Sequence, residues 1–269
     1  MIASAGKTSI AVALLFAAWG RTGAAQTAET VLPLTNLNAP GAIQEITSVL
    51  TVMPDVRHVS YDSARNAMVF RGSAGQTALA EWLVQQLDRP DGGPVAGPQM
   101  PGVFQYHPPA GHDDGDNAVR VFHVSFTDIV TIEEIVTVMR FCADIDHALA
   151  FHAGHAVVIR AAPQRAAMAE WVVQQLEQSA RAERKTAAFE YQSPDGGRDA
   201  LASEVHIVYL TNTGTAQSIR ALVSLVRTGA GVPRVFPITA LKALVIRAEP
   251  KRMVAAENVI AATDKPAAQ

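Results

Sequence analysis

Two hydrophobic patterns follow one another along this chain, and the pair of patterns occurs three times. In the first pattern apolar and polar residues alternate with a period of two, which predicts half-buried strands at residues 30–34, 120–126 and 204–210. In the second pattern apolar residues recur every three or four positions, which predicts amphipathic helices. Two short apolar strands and another helical pattern then follow. The predicted order is therefore strand, helix, strand, strand, helix.

The second of the two short strands ends in an arginine in all three segments. A glutamate follows ten residues after each arginine, and an acidic residue ends each closing helix. The residues are Arg71, Arg160 and Arg247, then Glu81, Glu170 and Glu257, then Asp88, Glu177 and Asp264. Recurrence at fixed spacing indicates an internal repeat. We predict three copies of one unit, at residues 30–90, 120–179 and 204–265.

Several residues predict where the helices begin. Ser73 is placed to cap the closing helix of the first unit. Pro163 and Pro250 suit the first turn of the closing helices in the other two units, where a missing N–H has no cost. Thr131 and Glu134 have the spacing of a capping box at the first helix of the middle unit.

Two segments rich in glycine, proline and polar residues separate the predicted units. They occupy residues 91–119 and 180–203, and such composition is typical of connecting segments. Each connector contains an aromatic segment, at residues 104–106 and 189–191. We predict that each aromatic segment forms a short strand leading into the next unit.

The N-terminal residues predict export. Lys7 precedes a short apolar run at residues 10–19, and small residues end at Ala25, as in a cleaved secretory signal peptide. The alternative is an uncleaved anchor helix, although about ten apolar residues are too few to cross a bilayer. Cleavage after Ala25 would remove Lys7 and Arg21 and change the formal net charge from −3 to −5. An acidic chain lacks the electrostatic character of a nucleic-acid binder.

The first unit carries a recognisable motif. Asp62, Asn66, Val69 and Gly72 lie along the predicted hairpin, and residues 83–88 end the closing helix with the sequence Leu-Val-Gln-Gln-Leu-Asp. This combination resembles the short periplasmic N-domains of secretins, the outer-membrane pore proteins of type II and III secretion and type IV pilus systems. The second and third units resemble the family by pattern rather than by identity.

The resemblance implies both a fold and a function. The fold is α+β, with three tandem β-α-β-β-α units, KH-like and secretin N-domain-like, each a small mixed sheet packed by two helices. In the family such units mediate ring packing and the docking of partner proteins. This implies a periplasmic, non-enzymatic protein–protein interaction module of a secretion or pilus-type system. The chain reaches Gln269 without the long alternating strands of the family's pore domain, so no pore is expected.

Residues able to support catalysis or to bind a cofactor form no standard signature. His147, His152 and His155 lie close in sequence and leave a metal-dependent envelope hydrolase as the alternative function, but their spacing matches no zinc motif. The single cysteine, Cys142, lies in an apolar helical pattern and is expected to be a buried hydrophobic residue. No G-x-x-G loop of a KH domain is found at the predicted helix–strand connection. We therefore expect no enzyme activity, metal, cofactor or nucleic-acid partner.

The repeated polar residues and two tryptophans are the candidate interface residues. Arginine is favoured in ion pairs at interfaces, which would place the repeated arginines and glutamates where units meet. The alternative is an ion pair within each unit, between the strand end and the helix. The tryptophans are expected either in the core or at an interface. The candidate residues are Arg71, Arg160, Arg247, Glu81, Glu170, Glu257, Trp82 and Trp171, and the expected partners are envelope proteins or a second copy of this chain.

Overall fold

The computed structural model describes residues 28–89, 102–108, 118–181, 186–191 and 203–266. The predicted signal peptide lies outside the described residues, as do large parts of both connectors. Within the described ranges no helix combines the length and the apolar character needed to cross a membrane.

The described residues form three successive β-α-β-β-α units, which confirms the predicted fold class. The first unit contains β1 (Ala28–Pro33), α1 (Pro40–Val52), β2 (Val59–Asp62), β3 (Ala67–Gly72) and α2 (Ala74–Leu87). The second contains β5 (Ala118–His123), α3 (Ile129–Phe141), β6 (His147–Phe151), β7 (Ala156–Ala161) and α4 (Pro163–Arg181). The third contains β9 (Ser203–Tyr209), α5 (Ala216–Gly229), β10 (Val235–Ile238), β11 (Ala243–Ala248) and α6 (Pro250–Thr263). The aromatic connector segments form β4 (Val103–Gln105) and β8 (Ala187–Tyr191).

Each unit has its own sheet, and the strand that ends in the repeated arginine lies at its centre. The strand orders are β1-β3-β2, β4-β5-β7-β6 and β10-β11-β9-β8. All the strand pairs in the described residues are antiparallel, so the sheets are not mixed as predicted. The reason is that the helix between the first two strands returns the chain to the far side of the sheet. The arginine strand then inserts antiparallel between them.

The connector strands β4 and β8 extend the second and third sheets. Each pairs with the outer edge of the unit's first strand, β5 or β9. The N–H of Tyr106 donates to the carbonyl of Val119 at 2.9 Å, and the N–H of His123 donates to the carbonyl of Gly102 at 3.1 Å. The backbone N–H and carbonyl groups of every second residue of β5, beginning at Val119, therefore face β4 and form hydrogen bonds with it.

The helix starts follow the predicted residues with one exception. Ser73 caps α2 through a full capping box with Gln76, and α4 and α6 begin at Pro163 and Pro250. The predicted Thr131–Glu134 capping box is wrong. Asp128 caps α3 instead, because its carboxylate accepts the backbone N–H of Thr131 at 2.8 Å.

Each unit contains two residues in the left-handed backbone region at matching positions. One follows the first helix, at Asp55, Asp144 and Gly231, with φ between 52° and 66°. The other precedes the arginine strand, at Asn66, His155 and Lys242, with φ between 45° and 50°. Asparagine and glycine adopt this region more readily than other residues. The asparagine of the first unit's motif therefore has a backbone role.

The repeated acidic residues hold the loop after the first strand of the same unit; Asp88 and Asp264 cap the ends of α2 and α6, whereas Glu177 lies inside α4, which continues to Arg181. The Asp88 carboxylate accepts the backbone N–H groups of residues 35–37. The Asp264 carboxylate does the same for residues 211–213 at 2.6–2.7 Å. Glu177 accepts the N–H and the hydroxyl of Ser125. These contacts tie the two ends of each unit together.

The sheets have two buried faces in the second and third units. The inner face of each sheet packs on the unit's own two helices. The outer face packs on the preceding unit, because outer-face residues of the second sheet join the apolar cluster of the first unit, and those of the third sheet join the cluster of the second. The three units therefore form a continuous row.

Candidate functional site

Successive units of the chain contact each other at two places, which we call junctions. At the first junction Val121 and Val158 on the outer face of the second sheet share an apolar cluster with Val49 of α1. At the second junction Ile207 and Val245 share a cluster with Val138 of α3. All six side chains are fully buried. The same pair of surfaces, an outer sheet face and a first helix, is used twice.

The repeated arginine lies at both junctions. Arg160 donates through Nη1 to the carbonyl of Met53 at 2.9 Å, and Arg247 donates through Nη1 to the carbonyl of Cys142 at 2.8 Å. Both carbonyls belong to the C-terminal cap of the preceding unit's first helix. A positive charge is favourable there because the last carbonyls of a helix carry partial negative charge.

A glutamate of the preceding helix binds the hairpin at both junctions. The Glu45 carboxylate bonds Nδ1 of His152 at 2.9 Å and the N–H of Ala153 at 3.1 Å. The Glu134 carboxylate accepts the N–H of Thr239 at 2.7 Å and its hydroxyl. The glutamates occupy one position of the aligned helices, and His152 and Thr239 one position of the aligned hairpins. Glu134 was predicted only as a member of a capping box and Glu45 was not predicted at all, although their matching positions in the aligned helices were a usable signal.

The second junction carries an additional ion cluster around the buried Arg247, whose partner Asp144 is partly exposed. The Asp144 carboxylate accepts hydrogen bonds from Arg234 at 3.0 Å and from Arg247, whose side chain is almost fully buried. Phe141 stacks on Phe236 with ring centroids 5.5 Å apart. A buried arginine must keep its charged partners, because an isolated buried charge is strongly destabilising.

The other repeated arginine and the three repeated glutamates do not take part in the junction contacts described above. Arg71 lies on the surface and pairs with Glu29 at 2.8 Å. Glu170 binds Arg120 and Glu257 binds His206, in both cases on the first strand of the same unit. Glu81 is exposed. The arginines and glutamates therefore do not form the alternative intra-unit pair with each other.

Both tryptophans contact the aromatic residues that lead into the next unit. Trp82 of α2 lies 5.5 Å from the ring of Tyr106, and Trp171 of α4 lies 5.2 Å from the ring of Phe189. The third unit has the exposed Asn258 at this position. The aromatic pairs thus accompany the two junctions.

The structure does not bring the three histidines of the hydrolase alternative together. His147 begins β6, and His152 and His155 follow its other end, which is about 15 Å away for a strand of this length. His152 instead contacts Glu45, and His155 has a left-handed backbone. Over the described ranges, no group of three or more His, Cys, Asp or Glu residues is arranged to hold a metal ion.

Two buried titratable groups lie near the junctions. Burial raises the pKa of the Cys142 thiol to about 12, although the nearby Arg247 and Arg234 oppose the shift. Burial, together with the charge of Arg89, lowers the pKa of His123. A protonated thiol is a poor nucleophile, so the Cys142 side chain acts as a packing residue.

The first and third units each leave one half of a junction exposed in the described structure. The outer face of the first sheet has no unit packed on it, and Val31 is 41% exposed although the matching Val121 and Ile207 are fully buried. The matching helix face of α5 is also open. Leu225 is 48% exposed although the matching Val49 and Val138 are fully buried.

The first sheet also has an open strand edge. Strand β1 corresponds to β5 and β9, whose outer edges bond β4 and β8, but within the described residues no strand pairs with the outer edge of β1. Leu34 donates its N–H to Asn66, next to β3. Because backbone groups alternate along a strand, those of Glu29 and Val31 point away from β3. Pro33 offers no N–H at the same edge, as is common for edge strands.

Comparisons with known proteins find structural likeness only. No family model matches the chain, and no curated protein matches it. Among solved structures it is similar to the N-terminal domain of the secretin XcpQ from Pseudomonas aeruginosa, with 14% identity and a TM-score of 0.22, covering 55% of this chain and 61% of that one. It is similar to Aeromonas hydrophila ExeD, with 17% identity and a TM-score of 0.20, covering 89% and 41%.

A further similar structure is the type II secretion system secretin GspD of E. coli K12. Its identity is 14% and its TM-score 0.20, and the match covers 90% of this chain and 40% of that one. The chain therefore spans well under half the length of the ExeD and GspD structures. Secretins are also the family that the hairpin and helix motifs of the first unit resemble.

Proposed function

We propose that this chain is a non-enzymatic protein–protein interaction module of the cell envelope, acting in a secretion or pilus-type assembly. It is exported to the periplasm by its N-terminal segment and recruits an envelope protein by strand addition. The observation that carries this proposal is the open edge of β1. The other two units support the proposal, because the matching strands β5 and β9 each bond an additional antiparallel strand at the same edge.

The connector strands indicate the kind of segment that the partner provides. In both bound strands a phenylalanine lies opposite a valine of the first strand, Phe104 opposite Val121 and Phe189 opposite Val205. At β1 the position that matches Val121 is Val31, and the position that matches Val205 is Glu29; both residues are exposed. In strand addition, main-chain bonds supply affinity and alternate side chains supply specificity. We expect the partner segment to be extended and to carry an aromatic residue facing Glu29 or Val31.

Site-specific photo-crosslinking in intact producing cells tests this function. A photoreactive amino acid replaces Glu29, whose side chain is exposed beside the edge. The expected result is a covalent adduct with another envelope protein. Val31→Pro should abolish the adduct, because it removes the outward N–H. The matched control Val31→Thr keeps that N–H and should retain the adduct.

Two outcomes would contradict the proposal. One is the absence of any adduct with another protein. The other is an adduct that is equally strong in Val31→Pro and Val31→Thr, because the partner would then not use the main chain of β1. Stoichiometric zinc in the purified protein that is lost on His152→Ala would instead support the hydrolase alternative.

A further inference from the structure

The exposed halves of the junction lie on the first and last units and are complementary in kind. The first unit exposes an outer sheet face, which we call the sheet half: Glu29, Val31, Val69 and Arg71. The third unit exposes the face of α5 that carries Ser218, Ala221 and Leu225, which we call the helix half. Within the chain, a sheet half always packs on a helix half. The chain therefore contains two examples of a sheet half covered by a helix half.

We propose that copies of this chain associate head to tail, with the helix half of one copy packed on the sheet half of the next. The occupant of each exposed half is thus a second copy of this chain. This association goes beyond the strand addition proposed above, because it uses the sheet face and α5 rather than the edge of β1.

The exposed halves carry apolar residues at the positions that form the apolar centre of the internal junctions. The internal junctions place one valine of the helix against two β-branched residues of the sheet. The exposed halves supply Leu225 from the helix and Val31 with Val69 from the sheet. A central apolar contact surrounded by polar residues is the usual arrangement of a protein interface.

The arginine contact is also available at the exposed halves. Arg71 occupies the position of Arg160 and Arg247, and its side chain is 62% exposed. The helix-end carbonyl that matches those of Met53 and Cys142 belongs to Gly229, which ends α5 and is exposed. Docking would let Arg71 donate to the Gly229 carbonyl of the other copy, as its two counterparts do within the chain.

Other positions show that this contact is weaker than the internal junctions. The helix glutamate of both internal junctions is replaced by Ala221, and the tryptophan that stacks on a connector strand is replaced by Asn258. The intermolecular contact therefore lacks the carboxylate–hairpin bonds and the aromatic pair. A reversible, concentration-dependent association is expected rather than a permanent dimer.

The geometry of the contact determines the type of assembly. The two halves are different surfaces on opposite units, so the interface is heterologous rather than two-fold symmetric. Each copy offers one half of each kind, and a dimer still exposes one of each. Association should therefore continue beyond the dimer, into a ring or an open row.

Sedimentation velocity of the purified chain over a concentration series tests the proposal. The wild-type chain should pass from monomer to dimer and larger species. Leu225→Arg and Val31→Arg each place a charge in one half, which is exposed in the monomer, so folding is retained. Each variant alone should associate about tenfold more weakly or worse, because a desolvated, unpartnered charge costs more than the 1.4 kcal/mol that corresponds to tenfold.

An equimolar mixture of the two variants tests most directly whether a helix half binds a sheet half. Val31→Arg keeps an intact helix half, and Leu225→Arg keeps an intact sheet half. The mixture should form a 1:1 dimer and nothing larger. The matched control is Val254→Arg, because Val254 is 58% exposed on α6 and its counterpart Ala167 stays exposed although the next unit is present. This variant should associate like the wild type.

Three results would overturn head-to-tail association. They are a wild-type chain that stays monomeric at every concentration, single variants that associate like the wild type, and a mixture that stays monomeric. None of them bears on the crosslink from position 29 to another protein. The failure of one proposal can therefore be distinguished from the failure of the other.

Discussion

A single carboxylate at the end of α6 holds the loop after β9. Burial alone would raise the pKa of Asp264, but the N–H groups of Thr211, Thr213 and Asn212 outweigh that effect and lower the pKa below its ordinary value of 3.8. A lowered pKa in the folded state means that the charged carboxylate favours folding. Its contribution is complete above the ordinary pKa and is lost as the pH falls through the folded-state pKa.

Asp264→Asn should therefore lower the free energy of unfolding by about 1 kcal/mol at pH 7, because the loop N–H groups lose a charged acceptor. The difference from the wild type should shrink as the pH falls below 3.8. Urea unfolding of the wild type and the variant at pH 7 and at pH 3 measures the loss of stability and its decrease at low pH. Glu81→Gln, which changes an exposed carboxylate, is the control and should change little. A difference that is the same at both pH values would contradict this account.

The left-handed position before β11 is occupied by an unfavourable residue. Lys242 has φ 50°, where the first unit has Asn66. Non-glycine residues other than asparagine and aspartate are disfavoured in this region. Lys242→Asn should raise the free energy of unfolding by about 0.5–1 kcal/mol. Thermal or urea unfolding measures the change, and a destabilised variant would show that backbone conformation does not dominate here.

The residue scale shows what the sequence could and could not predict. Recurrence identified the arginines and the acidic helix ends, because they are chemically identical or similar in all three copies. It did not predict their partners, because those lie in other elements or other units. The left-handed positions were missed because Asn66, His155 and Lys242 share only a backbone conformation.

At the scale of elements, one sheet position has two different environments. The arginine at the end of the central strand is exposed in β3 and buried against the preceding unit in β11. The predicted alternation of apolar and polar residues could not distinguish these cases. The outer positions carry the same residue types in both strands, valine and arginine, but they are buried in β11 and half-exposed or exposed in β3. The environment of this face therefore depends on the order of the units and not on the residues of the strand.

Arg247→Met should lower the free energy of unfolding by about 2 kcal/mol, because it leaves the buried Cys142 carbonyl without its charged donor and removes one of the two cations from the partly exposed Asp144. The matched variant Arg71→Met removes an exposed ion pair with Glu29 and should cost less than about 0.5 kcal/mol. Urea unfolding of both variants gives the comparison. Equal losses would contradict the assignment of Arg247 to a junction.

At the scale of the whole molecule, the three units behave as a row held together by one type of contact. The sequence predicted the number and order of the units and their fold class. It did not predict that the outer sheet faces are covered, because a face buried by another unit and a face buried by its own helices have the same apolar pattern. In the described residues, the row leaves the outer edge of β1 and two end surfaces uncovered.

Hydrogen exchange at the backbone amide of Val31 tests the central claim that the open edge of β1 is the partner-binding site. In the purified chain at low concentration this amide should exchange rapidly, and the matching amides of Val121 and Ile207 should be protected by their connector strands. In the complex recovered from the cell envelope, the amide of Val31 should become protected as well. A Val31 amide that stays equally exposed in the complex would contradict the account.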